Sequence, residues 1–155
     1  MPERAAIVTG ASRGIGFALA EALGEEGYDL TITARRPESL ERAAGAEHRN
    51  ALVVNLASIA GKSPQPWLSV YSATKAAVAA YTVAMNKELA KHGVKSVAFA
   101  PGFVDTHMTD YVKDKVPPEE MLRPSDIAEG LRFVLRVSPM CLVPEIVFQR
   151  PGEIV

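Results

Sequence analysis

A single cysteine, Cys141, is all that the 155-residue chain carries, so no internal disulfide can hold it together. Cys141 and the three histidines, His48, His92 and His107, show none of the spacings of a metal site, and Cys141 reads as a small buried hydrophobe. Long apolar runs are missing too: none approaches the ~18 residues that a membrane span needs. Met1-Pro2-Glu3-Arg4 leads directly into a short apolar strand, without the cleavable apolar region of a secretory leader. Charge of one sign does not dominate. The net charge of -1 is spread without blocks, which removes the electrostatic footprint expected of a nucleic-acid or anionic-membrane binder. What remains is a soluble protein expected in the cytoplasm, and 48% hydrophobic residues over this length suit one domain with a real core.

The pattern along the chain alternates between strand and helix. Ala5-Ala6-Ile7-Val8 is an apolar strand ending in a Thr-Gly turn. Ile15, Leu19, Ala22 and Leu23 then share a helical face that Gly24 and Gly27 close, before a second strand at Leu30-Thr31-Ile32-Thr33. Pro37 to Asn50 is polar, with a short helix expected around Ser39 to Ala44, and Ala51 to Leu56 is a third strand. An Ala-rich helix is expected from Ser72 to about Lys91, closed by Gly93, and a fourth strand from Lys95 to Ala100, stopped by Pro101-Gly102. Tyr111 to Pro118 reads as polar loop. Asp126 and Glu129 are spaced as a capping-box variant ahead of a helix through Ile127, Leu131, Val134 and Leu135, and Ile146-Val147-Phe148 is a last strand. This alternation means an α/β protein with a mainly parallel sheet.

Thr9-Gly10-Ala11-Ser12-Arg13-Gly14-Ile15-Gly16 joins the first strand to the first helix. Glycines let a ligand approach the backbone there, and the helix start offers unpaired N–H groups and a positive dipole end, so the turn is suited to a phosphate. At the end of the second strand, an acidic residue would favour unmodified ribose hydroxyls, and arginine a 2′-phosphate. Ala34-Arg35-Arg36 occupies that place, and Arg13 adds a further cation, so NADP(H) is expected rather than NAD(H).

Tyr71 and Lys75 stand four apart on one face of the Ala-rich helix, where the ammonium favours the phenolate and suits the tyrosine to proton transfer. Ser58, just past the third strand, can offer its hydroxyl to a carbonyl oxygen gaining negative charge. The set suits hydride transfer between a nicotinamide and a carbonyl or alcohol. Tyr111 and Lys115 repeat the spacing without a strand-end serine and read as surface. No His or G-x-S-x-G accompanies Ser58, which disfavours Ser-His-Asp hydrolysis. Trp67, Phe103 and Met108 are candidate pocket walls or ordinary packing residues.

Thr9 to Gly16, Asn55-Leu56-Ala57-Ser58, Tyr71-x-x-x-Lys75 and Pro101-Gly102-Phe103-Val104-Asp105-Thr106 together resemble the short-chain dehydrogenase/reductase family. The resemblance implies a doubly wound, Rossmann-type parallel sheet in one NAD(P)-binding domain. It makes Tyr71 the general acid/base, Ser58 the group that orients the substrate oxygen, and Lys75 the group that tunes Tyr71 and holds the nicotinamide ribose. Val104 and Thr106 would hold the carboxamide. Gly10, Ser12, Arg13, Gly14, Ile15, Gly16, Pro101 and Gly102 complete the cofactor contacts it implies, beside Arg35 and Arg36. Homodimers or homotetramers are common among such enzymes.

Between Arg36 and Ala51 the family's central strands and helices, with an Asn-Asn-Ala-Gly motif and a relay Asn, have no counterpart. Two readings stand: a central segment is omitted from the sequence, which the agreement of the local signals favours, or the chain lacks it. In the second case the Ala51 strand could lie beside the Ala5 strand, and Pro37 to Asn50 just suffices for a crossover. An NADPH-dependent reductase of a ketone or 3-oxoacyl group is the first expectation. A nucleotide-binding or interaction protein without effective catalysis is the second.

Overall fold

The computed structural model describes residues 5–153 apart from 10, 12 and 34–50. Its elements follow in the order β1 (Ala5–Thr9), α1 (Gly14–Glu25), β2 (Asp29–Thr33), β3 (Ala51–Leu56), α2 (Ser69–Leu89), β4 (Val94–Pro101), α3 (Pro124–Arg136) and β5 (Glu145–Phe148). All strand pairs are parallel. Among the described residues β1 pairs with β2, and β3, β4 and β5 form a second sheet in that order. The α/β class with parallel sheets is therefore borne out. β3 pairs with β4, Ala51 opposite Val94 and Leu56 opposite Phe99, and among the described residues it shares no ladder with β1, the strand it could lie beside if the chain lacks the central segment. α2 supplies the crossover that places β3 and β4 side by side.

β4 shows how helices come to lie on both faces of the second sheet. Val97 and Phe99 join a core shared with Val8, with Leu19 and Leu23 of α1, and with Ile127 and Leu131 of α3. Ala98 and Ala100 point the other way and pack with Val78 of α2. The alternation of large and small side chains along one strand thus builds a thick apolar layer on one side and a close helix approach on the other. Phe99 meets Phe148 of β5 edge to face, with centroids 5.3 Å apart. Arg132 of α3 pairs with Glu25 of α1, and Arg136 with Glu26 at 2.7 Å, which ties the two helices at their exposed margin.

α2 docks differently. Its buried residues are Ser72, Thr82 and Asn86, all polar. The Asn86 side chain donates to Ser96 O at 2.8 Å and accepts from Ser96 N at 2.7 Å, while Ser96 Oγ donates to Thr82 O at 2.9 Å. Asn55 of β3 donates to Thr82 Oγ1 at 3.0 Å, and that hydroxyl donates to Val78 O at 2.8 Å. An alanine-rich face has little area to bury, so these bonds supply the directional part of the docking.

Several boundaries move. α1 runs to Glu25, so Gly24 lies inside it and Gly27, at φ +79°, stands at its close. α2 begins at Ser69, and the chain from Ala90 to His92 is a tighter 3₁₀ turn. The loop expected from Tyr111 to Pro118 is turn and loop over 113–117, while its ends belong to the 3₁₀ turns His107–Val112 and Pro118–Glu120. The cap of α3 sits three residues earlier than expected, with Arg123 N donating to Asp126 Oδ2 at 2.8 Å, because Pro124 sets the first helical position. Cys141 is exposed, contrary to expectation. It lies in the turn between Pro139 and Pro144, and its carbonyl and that of Ser138 accept from Lys95 Nζ at 2.9 and 3.1 Å. The helix expected around Ser39 to Ala44 and the suspected join between 36 and 51 lie outside the described residues. No helix among the described residues is long and apolar enough to cross a membrane.

Replacing Asn86 by Ala should lower the unfolding free energy by about 2–4 kcal/mol, because two buried groups of Ser96 lose their partner. Urea denaturation measures this, and a loss under about 0.5 kcal/mol, the range of a surface change, would contradict it.

Candidate active site

The candidate residues cluster where parallel strands end, at the carboxyl side of the sheets. β3 and β4 end in register, with Leu56 opposite Phe99, so Ser58 and Pro101 emerge side by side. Ser58 is 9% exposed; its hydroxyl donates to Pro101 O at 3.3 Å and accepts from Ala60 N at 3.2 Å. The serine is thus held at the junction of the two loops rather than free in solvent.

Lys75 and Tyr71 lie near the start of α2. Lys75 Nζ donates to Leu56 O at 2.7 Å, the carbonyl that closes β3, and stands 5.6 Å from the centre of the Tyr71 ring. The Tyr71 side of the pair is 38% exposed and open to a substrate. Burial lowers the pKa of the Lys75 ammonium from its ordinary 10.5. The same lysine therefore joins the end of a strand to the face of the tyrosine ring.

Gly61 explains why Ser58 stays beside this helix. A Cβ on Gly61 would stand 2.7 Å from Ala76 N and 2.7 Å from Lys75 C, so the turn Ile59–Gly61 rests directly on the α2 backbone at the lysine. From sequence this glycine reads only as loop punctuation; its place three residues after Ser58 is the signal that could have found it.

At the other end, Gly14 takes φ +62°, a left-handed conformation that favours glycine, and its open side faces the Thr106 methyl group: a Cβ there would stand 3.3 Å from Thr106 Cγ2. The loop after β4 thus reaches the glycine-rich turn, which brings two of the sequence motifs together. Arg13 is exposed at the cap of α1, Ile15 is partly buried against the core and Gly16 is buried. Val104 is 3% exposed; its carbonyl accepts from Thr109 Oγ1 at 2.7 Å. Gly10, Ser12, Arg35 and Arg36 lie outside the described residues. Trp67 is fully exposed and Met108 75% exposed, so neither is a core residue, whereas Phe103 lies under the Arg150 guanidinium at 5.9 Å. Tyr111, 71% exposed, and Lys115, also exposed, stand on the surface as expected. Among the described residues no group of three His, Cys, Asp or Glu side chains could hold a metal ion.

The start of α1, with Gly14 against Thr106, offers backbone N–H groups and a positive dipole end suited to an anion. Comparison with known proteins agrees with that reading. The short chain dehydrogenase model matches residues 4–51 and, in a second segment, 44–117. The chain belongs to the short chain dehydrogenase family. An uncharacterized oxidoreductase of Staphylococcus aureus (strain MW2) is 39% identical over 121 residues, which is 78% of this chain and 49% of the relative. The chain spans about half the length of the curated relatives it matches. In fold it is similar to a betaketoacyl-[ACP] reductase of Bacteroides thetaiotaomicron, with TM-score 0.76, 20% identity, and 96% of this chain and 97% of that one covered. It is likewise similar to 4-hydroxyisoleucine dehydrogenase complexed with NADH, with TM-score 0.78, 13% identity, and 96% and 98% covered.

Gly61→Ala should cost about 1–3 kcal/mol of stability, since the new methyl group meets backbone that can only move with α2. Thermal unfolding measures it, and an unchanged melting temperature would show that the turn does not rest on the helix.

Proposed function

We propose that the chain performs NADP-dependent hydride transfer between a nicotinamide and a ketone or secondary alcohol, with 3-oxoacyl thioesters within its substrate class. The observation that carries this reading is the bridge made by Lys75, which binds the end of β3 through Leu56 O while its ammonium faces Tyr71. A bound nicotinamide supplies, or in the reverse direction takes up, the hydride. In reduction, the Tyr71 hydroxyl gives its proton to the substrate oxygen as the carbonyl carbon becomes tetrahedral, and the phenolate left behind is stabilised by the Lys75 ammonium. The Ser58 hydroxyl, turning from Pro101 O, donates to the same oxygen while charge develops on it. Lys75 also offers N–H donors to the ribose. Gly10, Ser12, Arg13, Gly14, Ile15 and Gly16 hold the phosphates, and Pro101, Gly102, Val104 and Thr106 the carboxamide end.

The preference for NADP(H) rests on Arg35 and Arg36, with Arg13 as a third cation; the 2′-phosphate is matched by guanidinium groups better than ribose hydroxyls are. Val70, Tyr81 and Val83 of α2 are 76%, 59% and 45% exposed, which supports self-association as homodimer or homotetramer. The composition favours the cytoplasm and gives no reason for nucleic-acid or membrane binding.

Tyr71→Phe should remove ketone-dependent NADPH oxidation, a loss of about 10²-fold or more, while NADPH binding by fluorescence titration is kept. Undiminished turnover would defeat the assignment of Tyr71. NADPH binding without turnover of any carbonyl in a broad panel, already in the unaltered chain, would favour a nucleotide-binding protein without catalysis, a reading that the half-length span keeps open.

Arg35→Ala should weaken NADPH more than NADH, by about tenfold for one charge-assisted phosphate contact. Equal losses for the two cofactors would remove the basis for NADP(H).

A further inference from the structure

The loop from Pro101 to Thr106 is held from a side that the proton-transfer residues do not touch. Gly102 N donates to Phe148 O at 2.9 Å, so the turn after β4 is tied to the end of β5. Beyond β5 the chain turns at Gly152 and brings Glu153 back onto Gly102. A Cβ on Gly102 would stand 2.6 Å from Glu153 Oε2 on one side and 3.2 Å from Ile59 Cδ1, next to Ser58, on the other. The Glu153 side chain is only 16% exposed. It is fixed by Arg150, whose amide N lies 3.4 Å and whose Nε lies 3.7 Å from Oε2, while Gln149 Nε2 donates to Glu153 O at 2.8 Å. The Arg150 guanidinium in turn covers the Phe103 ring at 5.9 Å and stands 3.8 Å from Glu120. Glu153 and Arg150 therefore lie against two successive residues of the loop, Gly102 and Phe103.

The Arg150 amide, at 3.4 Å, is the donor that meets the Glu153 carboxylate, and the guanidinium stands beside it at 3.7 Å as an ion pair without a hydrogen bond. We propose that Glu153, held by Arg150, is a positioning residue that fixes the Pro101–Thr106 loop against Ser58 and so sets the seat of the nicotinamide end of the cofactor. The assignment of that seat rests on the dehydrogenase reading above; the bracing of the loop does not. Glu153 acts through Gly102 and touches no reacting atom. A side chain on Gly102 would displace the Glu153 carboxylate, the movable end of a flexible side chain, and crowd Ile59.

Hydrogen exchange and NADPH titration of the whole chain, Glu153→Ala and Glu153→Gln separate the two parts. In Glu153→Ala the amides of 102–106 should exchange about tenfold faster with those of α2 unchanged, as expected when one segment is released. Its NADPH Kd should rise about tenfold, as a small misplacement of a binding loop produces. Glu153→Gln, which keeps the shape and loses the charge, should recover part of both. Unaltered exchange at 102–106, or faster exchange everywhere alike, would overturn the proposal. So would faster loop exchange with an unchanged NADPH Kd. If the unaltered chain binds neither NADPH nor NADH, the dehydrogenase reading falls, and the exchange data still decide whether Glu153 braces the loop.

Discussion

The docking of α2 on the second sheet is the constraint from which the candidate site follows. Tyr71 and Lys75 ride on this helix, Ser58 stands on the strand end beneath it, and their mutual placement is the register of one against the other. Apolar burial alone sets such a register loosely, because alanine surfaces slide past one another with little change in area. The pair of hydrogen bonds between Asn86 and Ser96, the bond from Ser96 Oγ to Thr82 O and that from Asn55 to Thr82 Oγ1 fix the position far more narrowly. Lys75 and Gly61 extend the same fixing to the strand end: the lysine binds Leu56 O, and the glycine lets the Ser58 turn lie on the helix backbone.

β4 links this polar side to the rest of the molecule. Its Ser96, Ala98 and Ala100 serve α2, while Val97 and Phe99 anchor the apolar layer shared with β1, α1 and α3. Through that layer the two sheets, which share no strand pairing among the described residues, are held in one core. The contact of Thr106 with Gly14 spans them at the carboxyl ends of the strands. A dinucleotide lying there would be held by both sheets at once, so binding it and stabilising their mutual position are the same event.

Much of this was legible in the sequence where the determinants are local. The strand-helix alternation and the Tyr-x-x-x-Lys spacing on one helix depend on neighbours a few residues apart, and among the described residues both appear close to where the pattern puts them. What was not legible depends on distant partners. Asn55 reads as the first residue of a motif and Asn86 as an ordinary helix residue, and neither pattern points to the partners 27 and 10 residues away that they bind. Cys141 has a hydrophobe's composition but occupies a surface turn whose carbonyls serve Lys95. The pairing of β3 with β4 follows from the crossover through α2 rather than from anything in the strands themselves. Glu153 carries no motif; only the return of the chain at Gly152 brings it to Gly102.

The most direct test of the central claim is the turnover number of Thr82→Val in ketone-dependent NADPH oxidation, measured beside the unaltered chain at a temperature where both are folded. The substitution keeps the shape of the side chain and removes the hydroxyl that Asn55 reaches, two turns of helix from Lys75. If this seam sets the register of α2, kcat falls about tenfold through misplacement of Tyr71 and Lys75, while the affinity for NADPH is little changed. A folded Thr82→Val protein with undiminished kcat would contradict the account.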